Sequence, residues 1–283
     1  MVSNEEFTIA ECRSCGLRFT KDAPDQNNIG PYYKSESYIS HTNSSKGLIN
    51  RIYQKVRKHT LKTKRRLVNK KTGLRNGDLL DLGSGTGAFV YEMQQQGWNV
   101  SGLEPDLDAR GVAKQLYGIE LKELNGLYEL HENSFDAITL WHVLEHVHDL
   151  QGCVKQLRNV LKDSGKIFIA VPNYTSKDAR IYGPDWAAWD VPRHLYHFSP
   201  ASMKKLVELH GMTITEYKPM WYDSFYISLL SSKYKTGSTR YFSAVVNGIR
   251  SNLAALTDKK RCSSVIYIIE KTVPHTVQAT TFR

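Results

Sequence analysis

The stretch Leu80-Asp81-Leu82-Gly83-Ser84-Gly85-Thr86-Gly87 constrains this chain more than any other. Leu79–Leu82 reads as a short buried strand, the alternate glycines as a tight turn, and Ala88 to about Gln96 as the helix that follows. The same rhythm continues downstream. Strands are expected at Val100–Leu103, Ile119–Leu124, Phe135–Leu140 and Lys166–Val171, with helices near Leu107–Tyr117 and Leu150–Leu161. Alternating β and α segments predict an α/β fold, a Rossmann-like doubly wound parallel sheet covered on both faces.

In such sheets the first strand-to-helix turn is where a cofactor binds. Glycines let the backbone approach a ligand closely, and the helix N-terminus offers free N–H groups. Gly83-x-Gly85-x-x-Ala88 also satisfies the dinucleotide pattern. Asp81 argues against that choice, because a carboxylate at the strand end repels a pyrophosphate. S-adenosylmethionine carries an ammonium and a sulfonium and no phosphate, so the same acid attracts it. Glu104, ending the second strand, is placed to accept hydrogen bonds from ribose hydroxyls.

Asp81-x-Gly83-x-Gly85-x-Gly87, Glu104-Pro105 and Phe135-Asp136 together resemble the class I S-adenosylmethionine-dependent methyltransferases. Trp141-His142-Val143-Leu144-Glu145-His146-Val147 is similar to the branch holding the ubiquinone-biosynthesis O-methyltransferases. The resemblance covers about residues 75–215. It implies a seven-stranded sheet of order 3-2-1-4-5-7-6 whose last strand runs antiparallel. It also implies that Asp81 serves the methionine end of the donor, that Gly83 and Gly85 contact its backbone atoms, and that Glu104 holds the ribose. Asn125, Gly126 and Leu127 would flank adenine, although they depart from the usual acidic-then-apolar pattern; Ser84 stands where Cys or Ala is common. Trp141 and His142 would line the methyl-transfer face. With Ser84, Gly87 and Phe89 around the loop, these form the expected donor-binding set, S-adenosylhomocysteine being the product.

His142-x-x-Glu145-His146 also matches an inverted zinc-peptidase motif, but it follows a buried strand rather than lying on a continuous helix, so no metal is expected there. His146 and Glu145 read as packing at a strand-to-helix turn. His142 is the first candidate for a general base, since imidazole titrates near neutral pH. Residues 172–200 break the β-α rhythm with Trp186, Trp189, Arg193, His194 and His197, a stretch too long for an ordinary connection. It follows the fifth strand, so it either roofs an acceptor pocket, with His194 and His197 orienting the acceptor, or is a packed loop anchored by its tryptophans. A further helical insertion is expected over about 224–256.

Charge is concentrated in one element. Between Lys46 and Arg75 there are 12 Lys/Arg and no acid; the remaining 26 bases face 28 acids. Leu48, Ile49, Ile52, Tyr53 and Val56 give this segment helical spacing. It is either a solvated face of a helix packing on the core or a site for an anionic partner, such as a membrane surface, a lipid-linked acceptor or RNA. Poor aromatic interleaving makes nucleic acid the weaker choice. Cys12-x-x-Cys15 looks like half of a zinc ribbon, whose other two ligands have no counterpart, since Cys153 and Cys262 are isolated. The expected organisation is an extension over 1–45, a basic helix over 46–75 and a donor-binding domain over 76–283.

Five Trp, 16 Tyr and nine Phe exclude a chain that stays unfolded. No apolar run approaches the roughly 18 residues of a membrane helix. Glu5, Glu6 and Glu11 at the start leave no signal-peptide core. A cytoplasmic enzyme transferring a methyl group to a small-molecule or lipid-linked acceptor, most readily at a hydroxyl oxygen, is the expectation. An RNA methyltransferase or a non-catalytic donor-binding module are the alternatives.

Overall fold

The computed structural model describes residues 5–33 and 48–272, with side chains of the long basic helix described from residue 54. Residues 34–45 of the expected extension, residues 46–47 of the basic segment, and the side chains of Leu48, Ile49, Ile52 and Tyr53 lie outside the described residues.

Six strands form the main sheet: β3 (Asp78–Leu82), β4 (Asn99–Leu103), β5 (Phe135–Trp141), β6 (Leu161–Pro172), β8 (Met212–Pro219) and β9 (Ser264–Lys271). Their order is β4-β3-β5-β6-β9-β8. β3 pairs in parallel with β4 and β5, β5 with β6, and β9 runs antiparallel between β6 and β8. This is the expected order without its third member. Instead of a seventh strand at Ile119–Leu124, the chain makes one parallel bridge, Leu103 to Lys122, and turns into a 3-10 helix at Leu124–Glu129. Glu120 and Lys122 are exposed at this sheet edge, so little apolar burial favours extending the pairing.

The strands are near-continuous apolar runs because helices cover both faces. One face carries α1 (Leu48–Thr72) and α2 (Ala88–Gln94); Val68 of α1 is fully buried beside Leu79, Met93 and Trp98. Each such side chain contributes about 1.5–3 kcal/mol by leaving water. The Trp98 indole N–H donates to Asn69 Oδ1 at 3.1 Å, fixing α1 to the sheet. α3 (Leu107–Tyr117) follows β4, capped by Asp106, whose side chain accepts from Ala109 N. On the opposite face, α4 (Leu150–Val160) and α6 (Pro200–Leu209) bury Val154, Leu157, Met203 and Val207 against the main core.

A second, three-stranded sheet joins β1 (Ile9–Glu11) and β2 (Arg18–Thr20) to β7 (Tyr196–His197). The segment after β6 therefore packs on the N-terminal hairpin, with α5 (Lys177–Tyr182) leading into it. The long helical stretch expected over 224–256 is two helices, α7 (Asp223–Thr236) and α8 (Tyr241–Thr257). Gly237, at φ 76°, supplies the left-handed residue that ends α7.

Candidate active site

The parallel strands β4, β3 and β5 end side by side, and their C-terminal residues build the site. Asp81 on β3 is buried and accepts a 2.5 Å hydrogen bond from Thr139 Oγ1 of the neighbouring β5. Burial raises its carboxyl to about 6, against the opposing pull of Thr139 and of the Lys64 ammonium. Glu104, after β4, accepts from Gly85 N–H at 2.7 Å and from Asp106 N–H at 3.0 Å. A carboxylate offers about four acceptor directions, so two remain for a ligand's hydroxyls.

The three loop glycines have separate duties. Gly83 (φ 68°) must lack a side chain because a Cβ would sit 2.4 Å from Val143 Cγ2. Gly87 (φ 77°) caps α2, and a Cβ there would press within 2.9 Å of Ala113 on α3. Only Gly85 (φ 53°) of the three opens on space, with nothing within 4 Å of where a Cβ would stand. The expected donor set is thereby sorted. Asp81 and Glu104 stand buried at the ends of adjacent strands, and Gly85, hydrogen-bonded to Glu104, opens on space beside them. Gly83, Gly87 and Ser84, whose Oγ donates to the Asp81 carbonyl, shape the loop from within. Phe89 is buried beneath Trp141, ring to ring at 5.5 Å, and does not reach the crevice as expected. Leu127 is likewise a core residue, while Asn125 is exposed and Gly126 packs near Leu103.

Helix α1 lies across this mouth. Arg57 Nη2 donates to Thr86 Oγ1 at 3.3 Å, and Lys64 Nζ stands 4.4 Å from the centroid of the Trp141 ring. Burial lowers the Lys64 ammonium to about 8, although Asp81 and Asp223 both favour its charge. Sequence reasoning missed Lys64. Its spacing from Leu61 and Val68 places it on the inward stripe of the helix, a signal lost among 12 bases.

His142 directly follows β5 with its backbone in the left-handed region, φ 61°, an uncommon conformation for a non-glycine residue. Its Nε2 lies 2.8 Å from Asp223 Oδ2 and its Nδ1 lies 3.4 Å from Glu145 Oε1. Burial opposes the imidazole's charge, but the two carboxylates outweigh it and raise the group to about 10. As a resting general base His142 therefore starts in the wrong protonation state: it is an imidazolium. Asp223, the first residue of α7, was not anticipated, since nothing near it in sequence marks it.

The segment after β6 is packed. Trp186 is fully buried and donates from its indole to Asp178 Oδ2 at 2.8 Å. The space lined by Trp186, His194 and His197 admits no water-sized molecule. His194 Nδ1 is hydrogen-bonded to the Ala188 carbonyl at 2.9 Å, and His197 Nε2 to Thr20 Oγ1 at 3.1 Å. The expectation that His194 and His197 face an acceptor is thus corrected: both are interior groups, because the aromatic chains around them pack on one another. Burial and neighbouring His194 hold His146 down to about 4 and His197 to about 3, so both are neutral. His194 and His146 instead flank the buried Glu145, and one ligand atom from each of the three lies within 4.8 Å of the others. Among the described residues this is the one group able to surround a metal ion; neither Cys12 nor Cys15 belongs to such a group.

The profile of the methyltransferase domain family matches residues 51–217. The chain belongs to that family. Its donor class is accordingly S-adenosylmethionine, and the resemblance carried by Asp81–Gly87 and Glu104 holds. The methyltransferase is 25% identical over 197 residues to the ubiquinone biosynthesis O-methyltransferase of Aeromonas salmonicida, covering 65% of this chain and 81% of that one. It is 31% identical over 147 residues to the same-named protein of Glaesserella parasuis, covering 46% and 61%. Among solved structures, the [4+2]-cyclase SpnF superposes with a TM-score of 0.56 at 15% identity, covering 89% of this methyltransferase and 98% of the cyclase. Phosphoethanolamine N-methyltransferase 2 of Haemonchus contortus, in complex with S-adenosyl-L-methionine, gives 0.53 at 18%, covering 75% and 53%. These likenesses carry the fold; a cyclase and an N-methyltransferase on one scaffold show that the fold does not choose the chemistry.

The residues present fit the donor. Gly85 leaves a cradle open, two carboxylates stand at adjacent strand ends, and the buried Trp141 Nε1 has no hydrogen-bond partner among the described residues. A pyrophosphate in that place would face both acids.

Proposed function

We propose that this methyltransferase transfers the methyl group to a hydroxyl oxygen of a small-molecule or lipid-linked acceptor. The observation that carries the reading is the placement of His142, held between Asp223 and Glu145 directly after β5 and next to Trp141. When bound, S-adenosylmethionine supplies a methyl group on a sulfonium that is already an activated leaving group. Asp81 would hold the donor's ammonium, Glu104 its ribose hydroxyls, and the 125–127 segment would flank its adenine. The chain's remaining work is positioning, which supplies up to about 7–11 kcal/mol of the barrier.

His142, both of whose ring nitrogens are engaged by Asp223 and Glu145, would form a fixed wall of the acceptor site and position the acceptor rather than offer it a free charge. Lys64, lowered to about 8 by burial at the same mouth, is suited to take the hydroxyl proton near neutral pH. The relatives named for ubiquinone biosynthesis O-methylation support oxygen over nitrogen as the methylated atom. A cleft of about 530 Å³ lined by Arg65, Arg66, Lys70 and Arg75 lies at the C-terminal end of α1, beside the starts of β3 and β4 and away from the donor loop, so its charge suits an anionic neighbour rather than the acceptor.

The test uses donor labelled in its methyl group with a panel of phenolic, amine and lipid-linked acceptors and an RNA pool. O-methylated product that falls sharply in His142→Ala supports the reading. Label in RNA, or on nitrogen alone, overturns it. Donor binding without transfer to any class points to the non-catalytic module.

A further inference from the structure

Helix α8 is turned inside out. Its buried stripe is small and polar: Ala244, Asn247, Gly248, Ser251 and Ala255. Asn247 Nδ2 donates to the Tyr182 hydroxyl at 3.1 Å and Ser251 Oγ donates to Asp178 Oδ1 at 2.7 Å. A Cβ on Gly248 would stand 2.6 Å from the Phe225 ring, so α7 and α8 approach closely there. The large apolar side chains point the other way. Phe242 (85% exposed), Val245, Ile249, Leu253 and Leu256 (70%) recur at three- and four-residue spacing along the solvent side. A helix that buries serine and asparagine while presenting phenylalanine and leucine carries a hydration cost that no contact among the described residues offsets.

The charge around this stripe identifies what covers it. From Ser224 to Arg261 the sequence holds seven bases, Lys233, Lys235, Arg240, Arg250, Lys259, Lys260 and Arg261, against the single acid Asp258. All seven are exposed. A second copy of the chain would bring the same excess of six positive charges against itself, which disfavours self-association through this face. No described helix is long and apolar enough to cross a membrane, and α8 at 17 residues spans about 25 Å.

We propose that the α7–α8 hairpin docks on an anionic lipid surface, with α8 lying in the interfacial plane. Its apolar stripe enters the headgroup boundary by about 5–10 Å, and the flanking bases meet the negative lipid headgroups. The hairpin also reaches the active site, since Asp223 opens α7 and holds His142. Docking therefore sets the crevice mouth beside the bilayer. The inference stands on this surface alone and goes beyond the reading of the acceptor.

The test is co-sedimentation of the full chain with phosphatidylcholine vesicles, with or without about one-third phosphatidylglycerol. The wild type is expected to bind the anionic vesicles and to release as salt is raised. The variant Phe242→Ser/Leu253→Ser/Leu256→Ser is expected to lose about tenfold or more of that partitioning, as three exposed apolar groups are removed. Because these side chains are exposed, the variant should keep its fold and its affinity for S-adenosylhomocysteine. Absence of wild-type binding overturns the inference, as does equal binding to neutral vesicles. So does light scattering that shows a wild-type dimer becoming a monomer in the variant, which would make the stripe a contact between copies.

Discussion

His142 Nε2 lies 2.8 Å from Asp223 Oδ2, tying the end of β5 to the first turn of α7. The pair joins a sheet strand to the helical hairpin inserted before β9, and it bears on the charge of His142 beside Trp141.

The charge has a pH signature. His142 moves from 6.5 to about 10 in the folded protein, so the folded state binds the extra proton between those values. Its contribution to stability is complete below pH 6.5 and is lost as pH rises through about 10. Melting temperature followed from pH 7 to 10.5 should fall more steeply in the wild type than in Asp223→Asn. Parallel curves would show that the pair does not hold the proton.

Buried neutral histidines act at the other end of the scale. His146 and His197 stay uncharged down to about 4 and 3, whereas both take up protons near 6.5 once unfolded. Stability is present above pH 6.5 and is lost below it, by up to about 1.4 kcal/mol per pH unit for each group. Urea midpoints between pH 4.5 and 7 should flatten when His197 is replaced by Asn. An unchanged acid limb would remove His197 from the account.

Donor affinity should depend on Asp81. Its carboxyl titrates at about 6 in the free protein, because burial disfavours its charge. That charge costs stability as pH rises from 3.8 through about 6, and the donor's ammonium relieves the cost. Affinity for S-adenosylhomocysteine should therefore weaken below about pH 6, by up to tenfold per pH unit. Calorimetry on Asp81→Asn should find weaker binding with no such dependence; a retained pH dependence would assign the effect elsewhere.

Alanine at two loop glycines should separate packing from binding. Gly83→Ala meets Val143 at 2.4 Å as well as backbone strain at φ 68°, for a loss of about 2–5 kcal/mol. Gly85→Ala carries backbone strain of about 1–2 kcal/mol but meets no neighbour, so its main effect should fall on donor affinity. Denaturant melts and calorimetry on both variants distinguish these outcomes. Equal destabilisation would mean that Gly85 also serves packing.

The parts of this protein that were legible in sequence are those specified locally. Leu79–Gly87 writes its strand and turn in nine adjacent residues with the helix following at Ala88, and Glu104 directly follows the next strand. What failed depended on distant partners. His194 and His197 have the composition of a pocket lining, but the same rings bury one another when β1 and β2 pair with β7. Those strands are two or three residues long, too short for alternation to register. Ile119–Leu124 alternates like a strand, yet its exposed edge keeps only the bridge at Lys122. Asp223 and Lys64 reach the site from the insertion and the basic helix, and only the folded chain brings them to Asp81 and His142.

The central claim is that Asp81, Gly85 and Glu104 hold S-adenosylmethionine. Isothermal titration with S-adenosylhomocysteine on the wild type and on Glu104→Ala, with a thermal melt to confirm folding, tests it most directly. Two hydrogen bonds to a charged carboxylate are worth about 1.5–3 kcal/mol each, so the account predicts wild-type binding that weakens about a hundredfold or more in the variant. A wild type that ignores S-adenosylhomocysteine, or that prefers a nicotinamide dinucleotide, would contradict it.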